Sequence, residues 1–549
     1  MHQYCSMFEI PKQIVVQGLP SLKPIEEIST GEIIYRSLLS HNENHPALIN
    51  GTTRDCLTYP DLLSKTCSLA EALRHAGYGQ GTTILISSKN HLQFLVPIIS
   101  ALYIGATATA MNPSYTYYEL EHLINISKPN IVFCSKEILE KYIAIKSKFS
   151  FIERIIVIDS PFSTLKADCL DDFIGRNIKS IVTRITTTPV NTREQVAFIM
   201  YSSGTTGLPK GVMMTHRNIN AVFNTMQDPR MMHQDFRSLC VPPFFHAYGL
   251  LSTLSALSIN KLTVFMTEFD PKVFLQSIQD YKLTRLFLPP AIVVFMAKSA
   301  LVLQYDLSSI KETLCGAAPL KKSTEEELKR RLNVEELRQG YGMTETSFAV
   351  TINGLGVHSS KPGSAGKVVP YTRIGIRDLN TGEFAGPNTL GEICIKGELV
   401  MKGYCGDPEA TKNAFSDDGW LLTGDVGYYD EDGDFYITDR LKELIKYKGF
   451  QVPPAEIEAL LLTHPDIIDC GVVGIEDPRA GEIPIAFVVK AENSYLTEKD
   501  VRKFVKGKLS PEKWLRGGVI FLEEIPKNPT GKVLRRELRK MVTQFKSKL

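Results

Sequence analysis

The chain has 549 residues, more than a single hydrophobic core usually organises, so at least two compact domains are expected. Its 62 basic and 60 acidic side chains give a formal net charge of +2, which excludes a strong global field that would recruit nucleic acid or an anionic membrane. The ten cysteines form no CxxC pair and no cluster with histidine at metal-ligand spacing, so neither a zinc site nor a disulfide framework is predicted.

Up to about residue 360, short apolar runs alternate with longer helical patterns. Runs rich in Val, Ile and Phe lie at 83–87, 131–134 and 154–159. The longest apolar stretch, from Leu92 to Met111, contains helix-breaking residues and predicts a buried helix followed by a buried strand rather than a transmembrane span. This alternation predicts parallel sheets with crossover helices.

From about residue 360, shorter strand-like pieces are separated by DLNTGE, DDG and DEDGD, which predict hairpin turns. After YITDRLKELIKYKGFQVPP the chain returns to mixed helix and strand. We predict an α/β fold with a large N-terminal domain, residues 1–438, made of two α/β subdomains with parallel sheets and a small β-barrel-like module. A hinge at Asp439 and Arg440 would join it to a small α+β domain, residues 441–549.

The segment MYSSGTTGLPKG, at 200–211, combines hydroxyl groups, flexible backbone and a cation. Glycine lets the backbone approach a ligand closely, and lysine supplies positive charge, so the segment has the chemistry of a phosphate-binding loop. It lacks the GxxxxGK[ST] spacing of a Walker A loop. By composition alone, a run of Gly, Ser and Thr is more often just a flexible loop. The residues that would contact phosphate are Ser202, Ser203, Gly204, Thr205, Thr206, Gly207 and Lys210.

The complete string resembles the signature of the adenylate-forming superfamily, which includes acyl-CoA synthetases, 4-coumarate:CoA ligases and beetle luciferases. Further segments match in order: CGAAPL at 315–320, QGYGMTE at 339–345, TGD at 423–425, DRLKELIKYKG at 439–449 and PKNPTGK at 526–532. The ordered set extends over nearly the whole chain, so coincidence is negligible. Stretches such as LIKYKGFQVPPAEIE and LRGGVIF look most like those of beetle luciferases and luciferase-like fatty acyl-CoA synthetases.

The resemblance implies ATP, Mg²⁺ and CoA as cofactors and a small-molecule carboxylic acid as the substrate. The phosphate loop would hold the β- and γ-phosphates, Thr344 the α-phosphate and Glu345 the magnesium ion. Asp425 would hold the ribose hydroxyls, because a carboxylate can accept two hydrogen bonds from a vicinal diol. The adenine slot would be lined by Gly316, Ala317, Ala318, Tyr341 and Gly342.

Two lysines near the C-terminus would divide the reaction between them. By the same resemblance, Lys532 would act in adenylate formation and Lys446 in thioester formation. Because both are needed at one reaction centre, the C-terminal domain would be mobile and turn about Asp439 and Arg440, the latter also lying beside the nucleotide. The thiol access channel would be bordered by Gly449, Phe450 and Gln451.

His246, in PPFFHAYG, would border the reacting carboxylate, although a lone histidine among aromatic residues is often a packed core residue. Beetle luciferases usually carry a small hydroxyl residue where this chain has Phe348. A phenyl ring there removes a hydrogen-bonding group and fills pocket volume, so CoA ligation is favoured over light emission. The acid pocket would comprise Arg217, His246, Ala247, Tyr248, Gly249, Phe348 and Ala349.

We therefore expect an AMP-forming acid–thiol ligase that prefers a medium- or long-chain fatty acid. An aromatic acid such as 4-coumarate also fits this pocket, and a luciferase or a catalytically silent nucleotide-binding paralogue are the remaining alternatives. The residues Lys210, Glu345, Asp425, Lys446 and Lys532 weigh against the silent form.

The last three residues, Ser547, Lys548 and Leu549, form the tripeptide that the peroxisomal import receptor reads. The first residues, MHQYCSMFEIPKQ, lack the basic and apolar regions of a secretory signal. A peroxisomal location is therefore expected.

Overall fold

The computed structural model describes residues 14–40, 44–202, 209–316, 320, 322–332, 336–359, 361–448, 450–477, 479–492, 494–509, 511–527 and 533–546. The strands are β1 (Val15–Gln17), β2 (Pro46–Asn50), β3 (Cys56–Thr58), β4 (Thr83–Ser87), β5 (Thr107–Met111), β6 (Ile131–Cys134), β7 (Arg154–Val157), β8 (Asp168–Cys169), β9 (Val196–Ser202), β10 (Lys210–Thr215), β11 (Ser238–Cys240), β12 (Thr263–Phe265), β13 (Arg285–Leu288), β14 (Glu312–Cys315), β15 (Glu336–Gly342), β16 (Ala349–Ile352), β17 (Lys367–Val368), β18 (Thr372–Asp378), β19 (Phe384–Ala385), β20 (Gly391–Gly397), β21 (Gly403–Tyr404), β22 (Leu421–Tyr429), β23 (Phe435–Arg440), β24 (Ile445–Tyr447), β25 (Phe450–Val452), β26 (Ile467–Asp477), β27 (Gly481–Lys490) and β28 (Val519–Phe521).

The α-helices are α1 (Thr30–Leu39), α2 (Tyr59–His75), α3 (Leu95–Tyr103), α4 (Tyr117–Ser127), α5 (Leu139–Lys146), α6 (Leu170–Asn177), α7 (His216–Met226), α8 (Ala247–Leu257), α9 (Pro271–Tyr281), α10 (Pro290–Lys298), α11 (Lys322–Leu332), α12 (Pro408–Ala414), α13 (Pro454–Leu461), α14 (Glu498–Lys506) and α15 (Arg535–Lys546). Short 3₁₀ turns lie at Lys136–Ile138, Ala300–Gln304, Thr344–Thr346, Gly356–His358 and Pro511–Lys513.

The first α/β sheet has the strand order β21-β10-β9-β5-β4-β6-β7-β8. Its strands from β9 to β8 run parallel, whereas β10 and β21 are antiparallel additions at one edge. The predicted runs at 83–87 and 131–134 are β4 and β6, and the long apolar stretch forms α3 and β5 as predicted. In the part of the chain that the structure describes, no helix has both the length and the apolarity needed to cross a membrane.

The second α/β sheet has the order β17-β16-β15-β14-β13-β11-β12-β2-β3, and its strands from β15 to β2 are parallel. Strands of parallel sheets are buried on both faces and are therefore mostly apolar; β13 is buried along its whole length and is apolar after Arg285. The carboxyl ends of β13, β14 and β15 therefore meet along one edge of the sheet, where polar loops can form a site.

The third sheet is antiparallel and has the order β1-β18-β20-β22-β23, with β19 beside β18. The turn sequences DLNTGE and DEDGD connect β18 to β19 and β22 to β23 in hairpins, as predicted. Strand β21 lies between β20 and β22 in the sequence but pairs with β10 of the first sheet. This antiparallel module is therefore attached to the first sheet through backbone hydrogen bonds.

The fourth sheet, β25-β24-β27-β26 with β28 beside β27, is formed by residues after Leu444 and packs against α13, α14 and α15. It is mixed helix and strand, so the predicted fold class is confirmed. The boundaries at residues 438 and 441 and the mobility of the C-terminal part stay predictions.

A buried ion-pair network joins the amino ends of three strands of the second sheet. Glu312 on β14 accepts hydrogen bonds from the guanidinium groups of Arg285 and Arg338, and these three side chains are at most 3% exposed. Burial lowers the pKa of Arg285 to about 10. Glu312 also lies near His233 and Glu336, a grouping of metal-ligand type. Since both oxygens of Glu312 are already paired with arginine, the group is a structural ion-pair network.

Replacing Glu312 by alanine would leave two guanidinium groups buried without their carboxylate. Removing one partner of a buried ion pair costs about 3–5 kcal/mol, so we expect Glu312→Ala to lower the urea midpoint of unfolding strongly. Asp280→Ala is the matched control, because it breaks the exposed pair between Asp280 and Arg54 and should cost about 1 kcal/mol or less. Unfolding in urea is followed by circular dichroism. Equal urea midpoints for the two variants would contradict the assignment of these residues to a structural ion-pair network.

Candidate active site

The predicted phosphate loop connects the two strands of an antiparallel hairpin. Strand β9 ends at Ser202, β10 begins at Lys210, and these two residues pair across the hairpin. Within the described part of the chain, the buried Ser202 Oγ has no hydrogen-bond partner, and a buried hydroxyl normally finds one. A ligand at the hairpin loop would supply it. The predicted residues Ser203, Gly204, Thr205, Thr206 and Gly207 lie outside the described residues.

The 3₁₀ turn Thr344–Thr346 packs against β9 and β10, so the structure brings Thr344 and Glu345 to the phosphate hairpin. Glu345 is 5% exposed, and its Oε1 accepts a hydrogen bond of 3.0 Å from the Tyr404 hydroxyl. Its carbonyl accepts a 2.8 Å bond from the Met401 N–H. A carboxylate beside hydroxyl groups is a donor set that fits a hard divalent cation, so Glu345 would hold Mg²⁺ here.

The predicted ribose carboxylate is held by two partners. The Tyr341 hydroxyl donates to Asp425 Oδ2 at 2.7 Å, and Arg440 Nε lies 3.0 Å from Asp425 Oδ1. Asp425 and Arg440 are directly paired across β22 and β23, which fixes their separation. Burial raises the pKa of Tyr341 well above its ordinary value, and the Asp425 charge raises it further. The phenol therefore remains a hydrogen-bond donor and orients the carboxylate.

The predicted acid pocket is built around the first turn of α8. His246 is the N-cap residue, and its half-buried ring lies 4.7 Å from the ring of Phe245. Gly249 allows α8 to approach the preceding loop, because a Cβ there would lie 2.3 Å from the Pro243 carbonyl oxygen. A side chain at this position would push the helix away.

Tyr248 and Phe348 form an aromatic wall of this pocket. The Tyr248 hydroxyl donates to the Leu314 carbonyl at 2.8 Å, and its ring centroid lies 6.0 Å from that of Phe348 and 6.0 Å from that of Phe287. Phe348 is 8% exposed. Such spacings are typical of favourable aromatic contacts. Because the hydroxyl of Tyr248 is engaged by the Leu314 carbonyl, the contact between the Tyr248 and Phe348 rings is apolar. Ala247 and Ala349 are half-buried against the same core.

Glycines border this wall. A Cβ on Gly316, at the end of β14, would lie 3.6 Å from the Tyr248 ring. Gly342 pairs with Ala349, and a Cβ on it would lie 2.2 Å from the Phe348 carbonyl oxygen, so a larger residue would force the two strands apart. The predicted adenine residues Ala317 and Ala318 lie outside the described residues.

Arg217 lies at the start of α7, where its guanidinium forms two bonds of 2.7 and 2.8 Å with Glu398 and one of 2.5 Å with Glu27. Its charge is thus engaged in an ion-pair network. Its assignment to the acid pocket stays a prediction.

The predicted thioester lysine, Lys446, is exposed on β24, and its N–H donates to Glu482 at 2.8 Å. It pairs with Gln451 across the β24–β25 hairpin, where Tyr447 pairs with Phe450. Gly449 and the adenylation lysine, Lys532, lie outside the described residues. The division of the reaction between two lysines stays a prediction.

The two predicted hinge residues both lie in β23, where Asp439 pairs with Val426 and Arg440 with Asp425 of β22. In addition, Asp439 Oδ2 accepts a 2.9 Å bond from the N–H of Ala455 in α13, and the Arg440 guanidinium pairs with the Asp425 carboxylate. Both residues therefore belong to the antiparallel module, and Asp439 also contacts α13.

The contact between Tyr404 and Glu345 was not predicted from the sequence. Tyr404 lies in the two-residue strand β21, and no motif connected it to the distant 3₁₀ turn. Only the pairing of β21 with β10 shows that these segments are neighbours.

Comparison with known proteins identifies the family of this chain. Residues 36–405 match the model of the AMP-binding enzyme family, and residues 456–532 match that of the AMP-binding enzyme C-terminal domain. The chain belongs to the AMP-binding enzyme family. It is thereby an adenylate-forming enzyme, as the ordered motifs implied.

Relatives in the AMP-binding family include both luciferases and ligases. The chain is 44% identical to luciferin 4-monooxygenase of Photuris pensylvanica over 97% of this chain and 99% of that protein. It is 39% identical to 4-coumarate–CoA ligase 2 of Nicotiana tabacum over 91% of this chain and 92% of that protein. Among solved structures, ATP-bound MatB from Rhodopseudomonas palustris superposes with a TM-score of 0.84 at 26% identity, covering 93% of this chain and 99% of that one.

The geometry of Asp425 leads to a binding prediction. Asp425→Asn keeps the size of the side chain but removes the charge that would accept the ribose hydroxyls, so we expect ATP to bind about tenfold more weakly. Isothermal titration calorimetry with a non-hydrolysable ATP analogue measures this. Glu431→Gln removes an exposed charge from the same module and is the control. An unchanged affinity in the Asp425 variant would remove this carboxylate from the nucleotide site.

Proposed function

We propose that this adenylate-forming enzyme is an acid–thiol ligase that joins an apolar carboxylic acid to CoA and releases AMP and pyrophosphate. The observation that carries the proposal is the buried contact between Phe348 and Tyr248. An aromatic ring stands where beetle luciferases usually have a small hydroxyl group. The pocket thus lacks a polar contact at this position, while formation of an acyl-adenylate and its transfer to a thiol need none there.

The residues at the site are suited to positioning and charge neutralisation. The substrate carboxylate attacks the α-phosphorus of ATP, the bond to pyrophosphate breaks, and an acyl-adenylate results. Lys210 would neutralise phosphate charge, and Asp425 would fix the ribose. Magnesium held by Glu345 would neutralise further phosphate charge. The CoA thiolate then attacks the acyl carbon and AMP leaves.

The predominantly apolar lining supports a medium- or long-chain fatty acid as the first candidate substrate. A 4-coumarate-like acid is the second candidate, because the 4-coumarate–CoA ligases are related over most of their length and the wall is aromatic. Luciferin is the third, because luciferin 4-monooxygenases are also related over nearly the whole chain. Import into peroxisomes through Ser547, Lys548 and Leu549 is part of the proposal and rests on those residues alone.

The proposal is tested by incubating the protein with ATP, Mg²⁺, CoA and a panel of fatty and aromatic acids, and reading acyl-CoA by mass spectrometry. We expect thioester from fatty acids and little light from luciferin. No thioester from any acid would refute the ligase assignment. Strong photon output with luciferin and ATP would favour the luciferase alternative, and ATP binding without pyrophosphate release would indicate the silent form.

The two-lysine division predicts separable defects. Lys532→Ala is expected to lose pyrophosphate release by a hundredfold or more, since one preorganised charge is worth about 10²–10³ in rate, yet to convert supplied acyl-adenylate to thioester. Lys446→Ala should show the reverse pattern. Lys442→Ala, in the same segment, is the control. Equal loss of both half-reactions in either variant would contradict the division.

A further inference from the structure

Tyr404 contacts both of the charged groups that the proposed function assigns to phosphate and metal. Its hydroxyl donates to Glu345 Oε1 at 3.0 Å, and Lys210 Nζ lies 4.8 Å from the centroid of its ring. A cation within about 6 Å of an aromatic ring is attracted by the ring electrons. One side chain therefore touches the predicted phosphate lysine and the predicted metal carboxylate.

The fold holds this side chain firmly. Tyr404 is paired with Val212 of β10, two residues along the strand from Lys210. The N–H of the next residue, Cys405, donates to the Gly211 carbonyl at 2.7 Å, and the Tyr404 N–H donates to Thr411 Oγ1 at 2.8 Å. The ring position is thus set by backbone contacts on the same hairpin that carries the phosphate loop.

The chemistry of the two groups suits this contact. A phenol hydroxyl can donate a hydrogen bond, and an ionised carboxylate offers only acceptor oxygens. Among the described residues, the Tyr404 hydroxyl is the one hydrogen-bond donor to the Glu345 carboxylate.

Lys210 and Glu345 do not form an ion pair with each other in the structure, although both contact Tyr404. A direct pair would satisfy both charges and compete with phosphate and metal for them. Each charge instead contacts the uncharged side chain of Tyr404. Tyr404 can therefore orient both charges without neutralising either of them.

We propose that Tyr404 is a positioning residue for the metal–nucleotide complex: its hydroxyl orients the Glu345 carboxylate for a divalent cation, and its ring orients the Lys210 ammonium group for phosphate. This inference rests on the proposed function, since the roles of Lys210 and Glu345 belong to it. It adds a residue outside the predicted motifs and separates two contributions, one from the hydroxyl and one from the ring.

Tyr404→Phe tests the hydroxyl, because it keeps the ring and the strand pairing. Outer partners of metal ligands are worth about tenfold or more in metal affinity, so the dissociation constant of Mn²⁺ in the presence of a non-hydrolysable ATP analogue should rise about tenfold. Electron paramagnetic resonance of free Mn²⁺ measures this without turnover. In the pyrophosphate assay, raising the Mg²⁺ concentration should restore the rate of Tyr404→Phe towards that of the unmodified protein.

Tyr404→Leu tests the ring. It should show the metal defect of Tyr404→Phe and, in addition, weaker binding of the nucleotide at saturating metal, because Lys210 loses its aromatic partner. Tyr429→Phe is the matched control, since it removes a buried hydroxyl that donates to the Ala385 carbonyl in the antiparallel module. It should alter thermal stability about as much as Tyr404→Phe and leave Mn²⁺ binding unchanged.

An unchanged Mn²⁺ dissociation constant in Tyr404→Phe, or an equal change in Tyr429→Phe, would overturn the inference. So would a rate defect in Tyr404→Phe that is the same at every Mg²⁺ concentration. Failure of the proposed ligase function would appear differently, as absence of thioester from the unmodified protein with all acids, while the Mn²⁺ measurement would still report on Tyr404.

Discussion

The backbone pairing of β9, β10 and β21 is the constraint on which the candidate site depends. Strand β9 belongs to a parallel sheet, and its antiparallel return through β10 places Ser202 opposite Lys210. Strand β21 then adds a segment of the third module to the same edge. The β9–β10 hairpin and a distant segment of the chain thus meet through main-chain hydrogen bonds, which depend little on side-chain identity. The side chains that carry chemistry need only be placed on that frame.

Local patterns in the sequence predict much of this frame. The runs at 83–87 and 131–134 coincide with β4 and β6, because strands buried on both faces are continuously apolar. The turn sequences rich in Asp and Gly also lie where hairpins form. The phosphate loop and the segments at 339–345 and 423–425 were identified from the order of the motifs along the chain. The physical pattern of each segment alone does not predict its role.

What the sequence could not predict are the contacts between distant segments. Strand β21 has two residues, too few for any periodicity, and its partner is known only from the fold. Arg217 resembled a pocket residue, and its pairing with Glu398 depends on a loop far along the chain. The ion pairs of Glu312 with its two arginines were not predicted, because burial of a charge is visible only once its partners are placed.

In the proposed function, the choice between ligation and light emission depends on the surroundings of Phe348. Its backbone is crossed closely by Gly342, and its ring faces Tyr248, which is itself fixed by the Leu314 carbonyl. A small polar residue in place of the ring would leave a cavity beside Tyr248.

The position of Arg440 also ties the predicted ribose carboxylate to the end of β23, from which the chain leads into the fourth sheet. Its guanidinium is bound to Asp425, while Asp439 is bound to α13. A ligand that drew the Asp425 carboxylate away from Arg440 would remove one of the contacts that hold the end of β23. By thermodynamic reciprocity, loss of that contact would in turn change the affinity for the ligand by the same factor.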